Sequence, residues 1–134
     1  MFAAMLLTVS VAALAQFAVY YWRAVMGGVA ARPISEGVLT AAGLDGRTLR
    51  ATDFATFVDL HEITPTLRER SEGFGLVSVY YHFMGAIGSL SRPLVPALAQ
   101  WSESEQATCS RYAAVLLDRR LKSNLACSAA LRSC

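Results

Sequence analysis

The chain has 134 residues, 54% of them hydrophobic and 16% charged, with a mean hydropathy of +0.40. That length supports one compact domain, while 9 Gly and 3 Cys exclude collagen-like and disulfide-scaffold compositions and the hydrophobic fraction excludes wholesale disorder. The charged share falls below the roughly 25% of ordinary soluble domains, so something besides the chain's own core has to cover apolar surface; a net charge of +2, from 12 Lys+Arg against 10 Asp+Glu, gives no electrostatic footprint for nucleic acid.

Residues 1–22 carry no charged side chain, and only Thr8, Ser10 and Gln16 interrupt the apolar run. A hydrocarbon core of about 30 Å needs roughly 20 helical residues, so the segment is long enough to span. Tyr20, Tyr21 and Trp22 stand together before Arg23, the amphipathic cluster and following cation that settle at headgroup level. These four residues are read as the membrane anchor and the bilayer as their partner. Two rivals are a buried core helix and a cleaved secretory signal, since Ala13-Leu14-Ala15 before Gln16 has the small-x-small form that signal peptidase accepts. Against the signal, the start lacks a basic region and the apolar character continues past Ala15. Arg23, Arg32, Arg47 and Arg50 follow the span, which places the N-terminus outside and the body in the cytoplasm. Lys122 is the one lysine among the cations, a skew typical of GC-rich coding, so the expected location is a bacterial inner membrane.

Paired Gly27-Gly28 and then Arg32-Pro33 predict a flexible joint, dividing the chain into a transmembrane helix over 1–26, a linker over 27–34 and a helical domain over 35–134. Ser35 caps a short helix over 36–42 that Gly43 ends. Thr52 or Asp53 caps the next, with Phe54, Phe57, Val58 and His61 at helical spacing up to Thr64-Pro65. Pro65 suits the first turn of a third helix reaching about Ser91, which Gly73 and Gly75 can split. The uncharged stretch 73–91 is read as the central helix of the body rather than a second span, because Tyr80, Tyr81, His82 and three serines make it less apolar than the first segment. Gly85 and Gly88 would let a neighbouring helix approach closely. After Arg92-Pro93 and a turn-like piece over 94–100, Ser102 and Glu105 form an S-x-x-E capping box that starts a long amphipathic helix to Arg132. No repeat and no strand pattern interrupts this, so the fold class is all-α: an N-terminal transmembrane helix followed by a small helical bundle.

Cys109, Cys127 and Cys134 are spaced by eighteen and seven residues, which sets them within about 20° of one line on the last helix. Eighteen residues of helix is about 27 Å, too far for a disulfide, and the spacing matches no zinc pattern. They are read as small apolar residues on a packed face with Ala113, Leu116, Leu117, Leu121 and Leu131, Cys134 being the most reactive. Arg111, Asp118, Arg119 and Lys122 form the opposite, solvated face, or a basic strip for anionic headgroups, since residues 109–134 hold five cations against Asp118 alone. Arg120 falls within the Cys and Leu stripe, so it has to pair, snorkel or meet another chain. Arg120, Cys109, Leu116, Cys127, Cys134, Gly85 and Gly88 are the interface candidates.

His61-Glu62 lacks the second histidine of a metalloprotease helix, since Pro65 stands in its place, and His82 is a lone histidine expected to bond within a core. No nucleophile elbow, P-loop or dinucleotide fingerprint occurs, and Glu69, Glu72, Glu103 and Glu105 read as solubilising charge. The near-neutral stretch 39–54 gives no specific helix-turn-helix. The expectation is a non-catalytic accessory or scaffolding subunit of a larger membrane complex, with other subunits as partners, no metal or cofactor, and no nucleic acid. The alternative is an independent thiol- or ligand-responsive helical module, soluble or exported, that uses the Cys face or His82.

Overall fold

The computed structural model describes residues 1–44, 48–65 and 73–133, and those residues are all-helical, with no strand among them. Helix α1 is Phe2–Ala30, α2 is Glu36–Ala41, α3 is Phe54–Ile63 after a 3₁₀ turn at Ala51–Asp53, α4 is Phe74–Ser91 and α5 is Pro96–Arg132.

The central element is α5, not the 73–91 helix that its apolar composition suggests. Helices α1, α2, α3 and α4 and the 3₁₀ turn all pack on α5. Between Cys109 and Asp118 nearly every position is buried, and Ala113 and Ala114 have no exposed surface. A helix enclosed on all sides needs small residues where neighbours approach, and this stretch supplies Cys109, Ser110, Ala113 and Ala114. Around it Met26, Val38, Phe54, Phe57, Val77 and Leu117 close the core. Helix α4 packs one face on α5 and leaves Leu76, Val79, Phe83 and Leu90 exposed.

The glycine reading holds at the α4–α5 contact. A Cβ on Gly85 would come within 2.8 Å of Gln106 Nε2, and one on Gly88 would collide with Ser102 Oγ. Both glycines are therefore used inside the chain. Gly43 also behaves as expected: at φ +66° it closes α2 as Leu44 N–H donates to Leu39 O and Gly43 N–H to Thr40 O, the paired bonds of a Schellman cap.

Several boundaries differ from the sequence expectation. Helix α1 runs through Gly27 and Gly28 to Ala30, so 27–30 belongs to the helix and only the following residues form the connection. The two glycines weaken the helix, but Met26 and Ala30 are buried against the body on either side of them and hold the turn. Of the helix placed over 65–91, α4 is the part from Phe74 onward, and the split falls at Gly73, one of the two glycines expected to allow it: at φ +105° it holds a left-handed conformation that a continuing helix cannot contain, while residues 66–72 lie outside the described residues. Glu69 and Glu72 lie outside the described residues. Helix α5 begins at Pro96, six residues before the supposed capping box, and takes in most of the piece read as a turn. Proline at N1 has no N–H to leave unpaired and a φ already suited to the helix, which makes it the stronger start. Ser102 lies inside the helix, donating to Ala99 O at 2.8 Å.

Candidate functional site

From Phe2 to Tyr21 α1 is exposed throughout, and none of its most apolar 18-residue window is buried. The cluster of Tyr20, Tyr21, Trp22 and Arg23 divides at the end of this stretch. Tyr20 and Tyr21 point outward, whereas Trp22 is partly buried against the core and Arg23 turns to the body.

The join between the apolar helix and the body is polar. Arg23 Nη2 lies 2.8 Å from Glu105 Oε1, and the Glu105 side chain is only 6% exposed. Tyr80 donates its hydroxyl to Glu105 Oε2 at 3.0 Å, so both carboxylate oxygens are satisfied. The Arg23 guanidinium also stands 5.7 Å from the centre of the Trp101 ring, within cation–π reach, and Trp22 meets Tyr80 edge to face. Burial and the adjacent Glu105 push the Tyr80 hydroxyl well above its ordinary range. Glu105 is thus neither a cap nor a solubilising charge. The signal that identifies it is its place four residues before Cys109, on the face already assigned to packing.

A second polar join holds the connection after α1. Ser35 turns its hydroxyl to Asp118 Oδ1 instead of capping α2, its N–H donates to the same oxygen at 3.4 Å, and Lys122 Nζ donates to Oδ2 at 2.6 Å. Asp118 is buried, which corrects its assignment to a solvated face. Burial raises its carboxyl, but the bonds from Lys122 and Ser35 outweigh this and hold it below the usual range.

Arg120 finds its partner within the chain. Its Nη1 donates to His61 Nε2 at 2.9 Å and to His61 O at 3.1 Å, while the imidazole lies flat on Phe74 at 4.1 Å. A guanidinium only donates, so Nε2 is an acceptor and the imidazole is neutral. Arg120 Nε is buried with no partner among the described residues. Burial and the Arg120 charge lower the His61 pKa, Glu62 opposing them. Unfolded His61 therefore takes up a proton near its ordinary value of about 6.5 while the folded form does not, so stability is full above that pH and declines as pH falls below it. His61→Gln, which keeps an acceptor without titrating, is expected to flatten this decline in melting temperature measured from pH 7.5 to 5. An unchanged slope would separate His61 from the pH response.

The remaining candidates are scattered. Cys109 is enclosed, and burial followed by the nearby Glu105 charge pushes its thiol up to about 12, which keeps it protonated and a poor nucleophile. Cys127 is partly exposed, Leu116 packs at the edge of the core, Leu131 is exposed rather than packed, and Cys134 lies outside the described residues. His82 is exposed, its Nδ1 bonded to Ser78 O at 2.8 Å, so it is not the core histidine expected. A cleft of about 640 Å³ between the 3₁₀ turn and the α4–α5 pair contains Ser89, Ser102 and the paired Arg92 and Glu103. Both hydroxyls donate to carbonyls of their own helices, which leaves no activated nucleophile at those two positions. No group of three His, Cys, Asp or Glu able to hold a metal occurs among the described residues. Compared with known proteins, the chain matches no family model, no curated protein and no solved structure.

Proposed function

We propose that the chain is a single-pass membrane protein whose helical body is a non-catalytic accessory or scaffolding subunit of a larger membrane complex, with the N-terminus outside and the body in the cytoplasm of a bacterial cell. The observation that carries this is α1 itself: about 30 Å of continuous apolar helix, bare on every side, ending where Arg23 locks onto a buried carboxylate. Such a helix is unstable in water and suited to lipid. Cys109, enclosed and protonated, gives the thiol-responsive alternative no reactive thiol at that position.

The native chain is expected to stay with membranes through alkaline carbonate, and Leu7→Arg combined with Leu14→Arg to release it, since each charge at the centre of a span costs about 2.5–3.5 kcal/mol. Release of the native chain, or a mature chain beginning at Gln16, would overturn the anchor. An impermeant thiol reagent should leave Cys127 unlabelled in intact cells, and strong labelling would reverse the orientation. Extraction in mild detergent should give a particle containing more than this 14.5 kDa chain; a particle of this chain alone would refute the subunit role.

A further inference from the structure

The turn between α4 and α5 is apolar and uncovered. Leu90 and Leu94 are 74% and 81% exposed, and Val95 and Leu98 are exposed beside them. The pairings along α1 and α5 establish where this tip points. Arg23 meets Trp101 and Glu105, and Ser35 beyond the end of α1 meets Asp118, so residue numbers rise together and the two helices run parallel. Going back along α1 from Arg23 toward Phe2 therefore goes back along α5 from Glu105 toward Pro96. Nine residues of helix is about 13 Å, so the tip stands well beyond Glu105, on the side toward which the bare apolar part of α1 extends.

The surface between the two is also apolar. A groove of about 390 Å³ separates α1 from α4, lined by Ala18, Val19 and Trp22 on one side and by Leu76, Val79 and Phe83 on the other. It joins the α1 surface to the exposed stripe of α4 that ends at Leu90. The charges near the tip are Arg92 and Glu103, paired at 2.8 Å and both largely exposed. An ion pair there suits the headgroup layer and excludes the hydrocarbon centre, so the tip can enter a leaflet but cannot cross it.

We infer that the α4–α5 turn is a second membrane contact, with Leu90, Leu94, Val95 and Leu98 entering the acyl layer of the leaflet nearest the body and Arg92 meeting lipid phosphate. This rests on α1 being a span, because α1 is what brings phospholipid to the level of the tip. The consequence is a fixed posture. One helix alone would let the body swivel, whereas a helix and a separate apolar tip hold it in one orientation on the membrane.

The test uses the full chain in phosphatidylcholine and phosphatidylglycerol vesicles whose acyl chains carry bromine, a contact quencher of tryptophan. Phe17→Trp, Leu94→Trp and Leu131→Trp each add one indole at an exposed position of the otherwise native chain, and the quenching of the added indole is read by difference from the parent. Leu94→Trp is expected to be quenched within about twofold of Phe17→Trp, as for a group among the acyl chains of the near leaflet, with Leu131→Trp unquenched. If Leu94→Trp stays as bright as Leu131→Trp while Phe17→Trp is quenched, the second contact is overturned and the span survives; a protein covering the tip would give this same result. An unquenched Phe17→Trp overturns the span itself, and the inference with it.

Discussion

Arg23→Ala is expected to destabilise the folded body by about 2–3 kcal/mol, far more than loss of an ordinary surface arginine. The asymmetry lies in the partner: the Arg23 side chain is half exposed, but Glu105 is almost wholly enclosed and, when the guanidinium goes, keeps the Tyr80 hydroxyl as a neutral donor with no counter-charge in place of Arg23. A buried carboxylate without its counter-charge costs more than the pair was worth, and the exposure of Arg23 keeps the figure below that of a fully enclosed pair. Two comparisons make this sharp. Adding Glu105→Gln to Arg23→Ala should recover a substantial part of the loss, because the neutral amide needs no counter-ion. Arg92→Ala breaks the exposed pair with Glu103 and should cost only a few tenths of a kcal/mol. Equal small losses for Arg23→Ala and Arg92→Ala in denaturant unfolding of the detergent-solubilised chain would mean that water reaches Glu105.

Phe54→Ala should be the most damaging single truncation in the body, at about 3–5 kcal/mol. Phe54 is enclosed, stacked on Tyr81 at 4.2 Å and aligned with Phe74 at 6.3 Å. Its removal leaves a cavity among rings and withdraws the packing that joins α3 to α4. Helix α3 also brings His61 to Arg120, so the pH response assigned to His61 should disappear in the same variant. Phe54→Leu retains most of the volume and should cost about 1–2 kcal/mol. A loss below 1 kcal/mol for Phe54→Ala would show that α3 contributes little to the fold.

The sequence by itself determined the helical class, the apolar first segment, the Gly43 stop, the end of the last helix at Arg132 and the close approach at Gly85 and Gly88. Each of these rests on local chemistry: uninterrupted apolar length, a residue that alone turns left-handed cheaply, or the absence of a side chain where two helices touch. Tertiary structure decided which helix is enclosed. Composition favoured the uncharged 73–91 stretch, but enclosure depends on neighbours on every side, and only the small residues of α5 admit α1, α3 and α4 together. It likewise decided the fate of the charges. Glu105, Asp118 and Arg120 look alike in a sequence whether they face water or a partner, and the partners, Arg23, Ser35 and His61, lie between 59 and 83 residues away. A residue's helical angle shows which way it points, and only the folded chain shows what stands there to meet it.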